Sequence, residues 1–122
     1  MVNNETDTVI IVEGITDKRL VEQIIIEQIT ILCTYGTFDL ERFDYLLERY
    51  ELDDQEVFIL VDEDKAGIEL RKQLGIELPH AKHIHVSEEY GEVASTPADV
   101  LATTLLSHHI AVNPFFLEAN NR

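Results

Sequence analysis

Three carboxylates follow directly on a run of apolar residues in the middle of the chain. Residues 57–61 are too few for an isolated helix and rich in β-branched and aromatic side chains, which predicts a strand buried on both faces. Asp62, Glu63 and Asp64 come where this strand must leave the core, and Gly67 opens a helical pattern behind them. Asp62 and Asp64 are two residues apart, so in extended backbone their side chains point to the same side. Two carboxylates at one spot repel each other unless a cation or a proton intervenes, and Mg²⁺ suits such oxygen ligands.

A second apolar, β-branched run near the start of the chain ends in the same way. Residues 8–12 predict another strand, and Glu13 and Gly14 follow it directly. In an open parallel α/β sheet, ligands lie beyond the carboxyl ends of the strands. If the two strands are parallel neighbours, Glu13 lies at the same sheet edge as Asp62 and Asp64, and the three acids form one compact site.

These acidic strand ends together resemble the motifs of the Toprim domain. That domain is shared by bacterial primases, type IA and type II topoisomerases, overcoming-lysogenization-defect nucleases and a ribonuclease that matures 5S ribosomal RNA. The segment 67–71 is also similar to the family's helix start, and the match is closest to the ribonuclease-like and small stand-alone members. The resemblance covers the chain from about Thr8 to about Ile110. Its motifs are Val12-Glu13-Gly14-x-x-Asp17 and Asp62-x-Asp64-x-x-Gly67.

The resemblance implies roles for individual residues. It implies that Asp62 and Asp64 hold Mg²⁺, or Mn²⁺ in its place, and that Glu13 is a further ligand or the catalytic general acid/base. Glu92 lies in a segment similar to one that precedes the last helix of ribonuclease-like Toprim proteins, near their acidic site. The residues that match or flank these motifs are accessory site candidates: Gly14, Asp17, Lys18, Gly67 and Glu92.

Several of these polar residues also have purely structural explanations. Asp17 falls in the first turn of a helix that Thr16 is expected to cap, where the helix dipole favours an acid, and we expect this role rather than direct metal contact. Lys18 by default lies on a solvated face. His83 and His85, two apart on a predicted strand, could ligate a transition metal, but no cysteine or positioned carboxylate joins them. An ordinary edge strand is the favoured interpretation.

The composition is that of one folded domain in a reducing compartment. Of the 122 residues, 45% are hydrophobic, and no apolar run approaches the roughly 20 residues that span a bilayer. We expect a domain over 1–122 in which residues 1–7 and 113–122 are polar or docking tails. The start of the chain lacks signal-peptide features and Cys33 is the single cysteine, so a cytoplasmic protein without membrane association is expected.

The charge balance limits which partners the chain can bind. Nine basic against 24 acidic residues give a net charge of −15, whereas proteins that grip a nucleic-acid backbone carry basic patches. We therefore expect the chain alone to bind nucleic acid weakly, through a bridging Mg²⁺ or with a basic protein partner. Phe115, Phe116 and Leu117 form an apolar cluster in a polar tail, which predicts docking on the domain or in a homodimer.

Strands and helices are predicted to alternate along the chain. Strands are expected at 8–12, 29–34, 57–61 and 81–86, the last one near the sheet edge, and a helix follows each of them. Gly75 is expected to end the third helix as its C-cap. This alternation predicts an α/β fold, here a Rossmann-like Toprim fold with a mainly parallel four-stranded sheet and flanking helices.

Two functional hypotheses from different classes follow from the sequence. The first is a Mg²⁺-dependent, ribonuclease-like nuclease, or its partner-dependent subunit, that acts on nucleic-acid phosphodiesters. The second is a non-catalytic module that uses the acidic site to bind a metal, a nucleotide or a protein partner for regulation. Topoisomerase and primase activities are not supported, because the sequence shows no zinc-binding module and no separate tyrosine-bearing domain. A P-loop nucleotide triphosphatase is excluded because the glycine-rich lysine loop is absent.

Overall fold

A computed structural model describes residues 8–36 and 38–118 of the chain. The strands are β1 (Thr8–Val12), β2 (Thr30–Cys33), β3 (Glu56–Leu60) and β4 (Lys82–Ile84). The helices are α1 (Ile15–Ile24), α2 (Leu40–Arg49), α3 (Lys65–Glu77), α4 (Ala98–Ser107) and α5 (Pro114–Glu118), with a 3-10 turn at Leu52–Asp54. No helix in this described part of the chain is long and apolar enough to cross a membrane.

The four strands form one parallel sheet in the order β2-β1-β3-β4. The predicted α/β class with a mainly parallel four-stranded sheet is confirmed, and β4 lies at the edge as expected. The chain runs from β1 to β2 on one side and then returns to β3 on the other, so the strand order reverses between β1 and β3. Ile11 pairs with Ile59, so these two neighbours end at the same edge of the sheet. Such a reversal leaves a crevice at the carboxyl ends of the strands, where open α/β sheets bind ligands.

The central strand β3 is buried on both faces, as its unbroken apolar sequence predicts. Phe58 and Leu60 face a core that includes side chains of α1 and α4. Val57 and Ile59 face a second core that includes side chains of α2 and α3. Two layers of helices therefore hold the sheet between them and fix where β3 delivers its carboxyl end.

The structure differs from the sequence prediction at two helix ends. α1 is capped by its own acid, since the Gly14 amide donates to Asp17 Oδ2 at 3.1 Å, and the expected cap at Thr16 is wrong. Gly75 does not end the third helix, because α3 continues to Glu77. An added Cβ at Gly75 would lie 3.6 Å from the His83 ring, so the glycine brings the helix close to β4 rather than stopping it.

The apolar cluster near the C-terminus is only partly covered. Residues 114–118 form α5, and Phe116 and Leu117 pack against the core that includes α1 and α4. Phe115 is 68% exposed, so its predicted burial against the domain is wrong. The segment before α5 is attached to the end of α1, because the backbone N–H of Asn113 donates to the Ile24 carbonyl at 2.8 Å. A homodimer that covers Phe115 stays a prediction.

Two glycines in α3 give opposite predictions for the same substitution. A Cβ at Gly67 would lie 2.1 Å from the Asp62 carbonyl oxygen, an overlap that only backbone movement relieves, whereas a Cβ at Gly75 meets ordinary contact distances. We expect Gly67→Ala to lower the free energy of unfolding by at least about 2–3 kcal/mol. Gly75→Ala should raise it by about 0.5–1 kcal/mol, because glycine disfavours a helix interior.

Urea unfolding of both variants beside the wild type measures these changes. Equal midpoints for Gly67→Ala and the wild type would show that α3 does not approach the end of β3 this closely.

Candidate metal centre at the carboxyl edge of the sheet

Three carboxylates converge just beyond the carboxyl end of β3. Asp62, Asp64 and Glu92 each offer an oxygen within 4.8 Å of the others. Asp62 follows the end of β3, Asp64 is the N-cap of α3, and Glu92 comes from the loop between β4 and α4. Two segments that are distant in sequence, the turn after β3 and the loop after β4, therefore supply one acidic cluster.

Backbone amides orient the two aspartates. The Val93 amide donates to Asp62 Oδ1 at 2.8 Å, and the Gly67 amide donates to Asp64 Oδ1 at 2.8 Å. The second bond satisfies an amide that the first turn of α3 leaves unpaired, which is the usual work of an N-cap. One oxygen of each carboxylate is thus fixed by the main chain, and this sets the direction of the other.

The loop that carries Glu92 is tied to the same place. The Glu63 amide donates to the Gly91 carbonyl at 2.7 Å, next to Glu92 in the chain. Ser95 Oγ donates to Glu92 Oε1 at 3.2 Å. The loop between β4 and α4 therefore follows the turn after β3 closely, although the two are far apart in sequence.

Glu13 lies against Asp62 across the ends of β1 and β3. Burial, which is the largest cause, a hydrogen bond with Asp62 and the negative charges of Asp62 and Asp64 together raise the pKa of Glu13 to about 8. At neutral pH and without a cation, Glu13 is protonated and donates to Asp62. Glu13 thus contacts the acidic cluster from beside it. The carboxylates whose oxygens share one small volume are those of Asp62, Asp64 and Glu92.

The accessory candidates have defined places around this group. Asp17 is 8% exposed, and burial raises the pKa of its carboxyl although the Gly14 amide opposes the shift. Gly14 is the extended N-cap residue of α1, and the Lys18 amide donates to its carbonyl at 3.1 Å. Gly67 is buried directly beneath the main chain of Asp62. The roles of all four residues in the site stay predictions.

The donor set fits a hard divalent cation. All three converging ligands are carboxylates, and oxygen-only sets suit Mg²⁺, Ca²⁺ or Mn²⁺ rather than zinc or copper. The negative charges of Asp62 and Asp64 also contribute to the raised pKa of Glu13, after burial and the hydrogen bond with Asp62, and a cation would offset this repulsion. Asp62, Asp64 and Glu92 are therefore the residues that could hold Mg²⁺, with Glu13 beside them.

The histidines in and around β4, which are His80, His83 and His85, do not form a second metal site. His83 Nδ1 accepts a hydrogen bond from Arg71 Nη1 at 3.1 Å, and a neighbouring guanidinium disfavours another cation. Burial and the charge of Arg71 lower the pKa of His83, which keeps the ring neutral. His80 Nε2 lies 3.1 Å from the Leu52 carbonyl oxygen, away from the other two rings.

From the sequence, no role was assigned to Arg71. This residue is 8% exposed and lies behind the turn that carries Asp62 and Asp64. The buried residues of α3 are Gly67, Leu70, Arg71 and Leu74. That spacing is one helix face, so a charged residue at a buried position was visible in the sequence. Ile68, which apolar character alone assigns to the same face, is 55% exposed.

An open groove of about 350 Å³ begins at Glu13 and runs along α3. Its volume lies within the range of small-ligand pockets. The floor is mostly apolar, and a hydrogen-bonded pair of polar side chains, Glu69 and Gln73, lines it further along. The lining residues are Glu13, Gly36, Phe38, Ala66, Glu69, Leu70 and Gln73.

The chain is similar to known proteins in both sequence and structure. No protein-family model matches the chain. The sequence is 42% identical over 119 residues to the uncharacterized protein YusF of Bacillus subtilis (strain 168), an alignment that covers 98% of this chain and 80% of that protein. The structure is similar to that of a small TOPRIM domain protein from Bacillus stearothermophilus, with a TM-score of 0.86 and 37% sequence identity. That similarity covers 93% of this chain and 95% of the other chain.

The raised pKa of Glu13 predicts a pH dependence of stability. The folded pKa is about 8 and the ordinary value is 4.5, so between these values the folded chain binds more protons than the unfolded chain. The free energy of unfolding in chelator should therefore fall as pH rises through this window and level off above about pH 8. After discounting for solvent screening at a half-exposed group, the loss should be about 1–2 kcal/mol.

Glu13→Gln imitates the protonated form and should lose most of this slope, so that it melts above the wild type at pH 8. Glu22→Gln, which removes an exposed acid from α1, is the matched control and should keep the wild-type slope. Melting curves in chelator from pH 5 to pH 9 measure the difference. Parallel pH profiles for Glu13→Gln and the wild type would contradict the expected raised pKa.

Proposed function

The chain belongs to the family of small Toprim domain proteins, and from this premise we propose that it is a Mg²⁺-dependent nuclease that cleaves phosphodiesters of single-stranded nucleic acid. The expected Toprim resemblance is confirmed by the relative from Bacillus stearothermophilus. The convergence of Asp62, Asp64 and Glu92 at the carboxyl edge of the sheet carries the proposal.

Each acid has a part in the proposed reaction. Asp62, Asp64 and Glu92 would hold Mg²⁺, and the amides of Val93 and Gly67 keep Asp62 and Asp64 in orientation for it. When bound, Mg²⁺ neutralises negative charge that develops on the phosphate oxygens. As a general base, Glu13 would take the proton of the attacking water while the new P–O bond forms; as a general acid, it would give its proton to the leaving oxygen while the old P–O bond breaks.

The net charge of −15 and the groove beside Glu13 support a single-stranded substrate. A protein of this charge cannot grip a phosphate backbone by counterion release, which supplies most non-specific affinity for duplexes. An unpaired base can instead lie on the apolar floor of the groove, where stacking on an aromatic ring contributes without regard to surface charge. Phe38 is the aromatic side chain of that floor.

The second candidate function is a non-catalytic module that binds a metal or a nucleotide. The same net charge of −15 favours it, because weak substrate capture suits a regulatory domain that a partner delivers to its target. The two candidates share the cation site and differ in cleavage, so one set of variants separates them.

Removal of one metal ligand should abolish both the Mg²⁺ response and cleavage. At a Mg²⁺ concentration about one hundred times Kd, the ion should stabilise the wild type by about 2.7 kcal/mol. Asp62→Asn should lose this stabilisation and reduce cleavage of single-stranded RNA and DNA at least about 100-fold. Asp44→Asn, which removes an exposed acid from α2, should leave both unchanged.

Melting curves at constant ionic strength and gel assays with Mg²⁺ or Mn²⁺ provide these readouts. Equal Mg²⁺ stabilisation of Asp62→Asn and the wild type would refute the cation site. A Mg²⁺ response without cleavage would favour the non-catalytic module.

Substitution of the aromatic floor tests the proposed substrate. Phe38→Leu keeps apolar bulk but removes the flat ring, and it should weaken binding of a short single-stranded oligonucleotide about tenfold. Phe115→Leu, at a phenylalanine that is 68% exposed and outside the groove, is the control and should bind as the wild type does. Fluorescence anisotropy with labelled single strands and duplexes measures both affinities. Equal losses in the two variants would refute base stacking in the groove.

A further inference from the structure

We propose that Arg71 is a positioning residue of the acidic site: it holds the Glu63 carboxylate away from Asp62 and Asp64 and so fixes the loop that carries both aspartates. The inference rests on the proposed function, because the site that Arg71 serves is the proposed Mg²⁺ site. Its evidence is the set of hydrogen bonds that Arg71 makes with Glu63 and with the ends of β3 and β4.

Arg71 joins the ends of β3 and β4 from the buried face of α3. Its Nη2 donates to the carbonyls of Val61 at 3.3 Å and Ile84 at 2.9 Å, and its Nη1 donates to the carbonyl of Ile59 at 3.3 Å. The strand pairing between β3 and β4 ends at Leu60 and Ile84. The guanidinium therefore continues the connection between the two strands at the point where their backbone hydrogen bonds stop.

Glu63 stands between the two aspartates in the chain, but its carboxylate lies with Arg71. Glu63 Oε2 accepts from Arg71 Nη2 at 3.0 Å and lies 3.0 Å from His85 Nδ1. The Glu63 side chain is 11% exposed and that of Arg71 is 9% exposed. A carboxylate this far from water is stable only when a positive partner and hydrogen bonds compensate it. Arg71 therefore determines where the Glu63 side chain can lie.

The backbone of Glu63 also helps to fix the positions of Asp62, Asp64 and Glu92. Its amide donates to the Gly91 carbonyl at 2.7 Å, which fastens the aspartate loop to the segment that carries Glu92. Without Arg71, the Glu63 carboxylate would leave its buried position and carry its charge toward solvent beside Asp62. More repulsion among the acids and a looser loop would follow.

An ion pair at the other end of the same two strands is a natural comparison. Lys82 Nζ lies 3.1 Å from Glu56 Oε2, and the two side chains are 62% and 47% exposed. Exposed pairs of this kind contribute little to stability. Glu56→Gln is therefore a matched control for Glu63→Gln, since both remove one carboxylate charge from a contact between β3 and β4.

Amide hydrogen exchange in chelator tests the positioning role without any metal. The amides of Val93 and Gly67 donate to the two aspartates and report directly on their orientation. We expect Arg71→Lys and Glu63→Gln to accelerate the exchange of both amides at least about tenfold relative to a β1 amide such as that of Ile11. Glu56→Gln should leave all three amides unchanged.

If Arg71→Lys does not fold, the amide exchange rates of Glu63→Gln alone test the positioning role. Unchanged Val93 and Gly67 exchange in Glu63→Gln, or equal acceleration of Ile11, would overturn the proposal, because a purely structural role loosens the whole fold alike. The Mg²⁺ concentration for half-maximal thermal stabilisation should also rise about tenfold in Glu63→Gln. If the wild type shows no Mg²⁺ effect while the two amides still respond, the positioning role stands and the proposed metal-dependent activity falls.

Discussion

Repulsion among acids that two parallel strands deliver to one sheet edge is the constraint on which the structure around the site depends. Because Ile11 pairs with Ile59, the chain leaves β1 and β3 side by side, and Glu13 meets Asp62. Nothing in the sheet itself relieves this repulsion. Backbone amides fix the aspartates, a proton on Glu13 removes one charge, and a buried guanidinium lies behind the loop. A cation at the edge would complete the same compensation.

Helix α3 supplies two parts of that compensation, the Gly67 amide and the Arg71 guanidinium, because its period matches the spacing of the residues involved. Asp64 caps the helix and accepts from Gly67 three residues on, Gly67 allows contact with the main chain of Asp62, and Arg71 follows one turn later. Residues three and four apart lie on one helix face. The cap, the close approach and the buried charge are therefore held by one rigid element that also packs on the sheet. A site supported in this way keeps its geometry without a bound ligand.

The sequence predicts the sheet and the two acidic strand ends, since both follow from local patterns of apolar and charged residues. The sequence does not show how Glu92 comes to lie near Asp62, because this depends on a hydrogen bond between Val93 and Asp62, which are far apart in the chain. Gly75 misleads because a glycine late in a helical pattern is typical of a C-cap, but here α3 continues past it to Glu77. Arg71 could have been found, because its position in the buried spacing of α3 demands a partner for its charge.

The acidic surface and the proposed substrate are compatible only if metal and substrate bind together. A net charge of −15 attracts divalent cations to the protein and repels phosphates. Screening reduces the repulsion beyond about 10 Å at 0.1 M salt, but a phosphate bound at the proposed site would lie closer than that to the acids at the sheet edge. In the proposed function, a nucleic-acid strand would therefore gain from the site mainly when Mg²⁺ neutralises these acids, and an unpaired base in the groove would add contact that surface charge does not weaken. A duplex carries a higher density of phosphates and offers no free base, so it faces the repulsion without this gain. If the proposed function holds, the same charge that weakens unaided binding would favour single strands over duplexes.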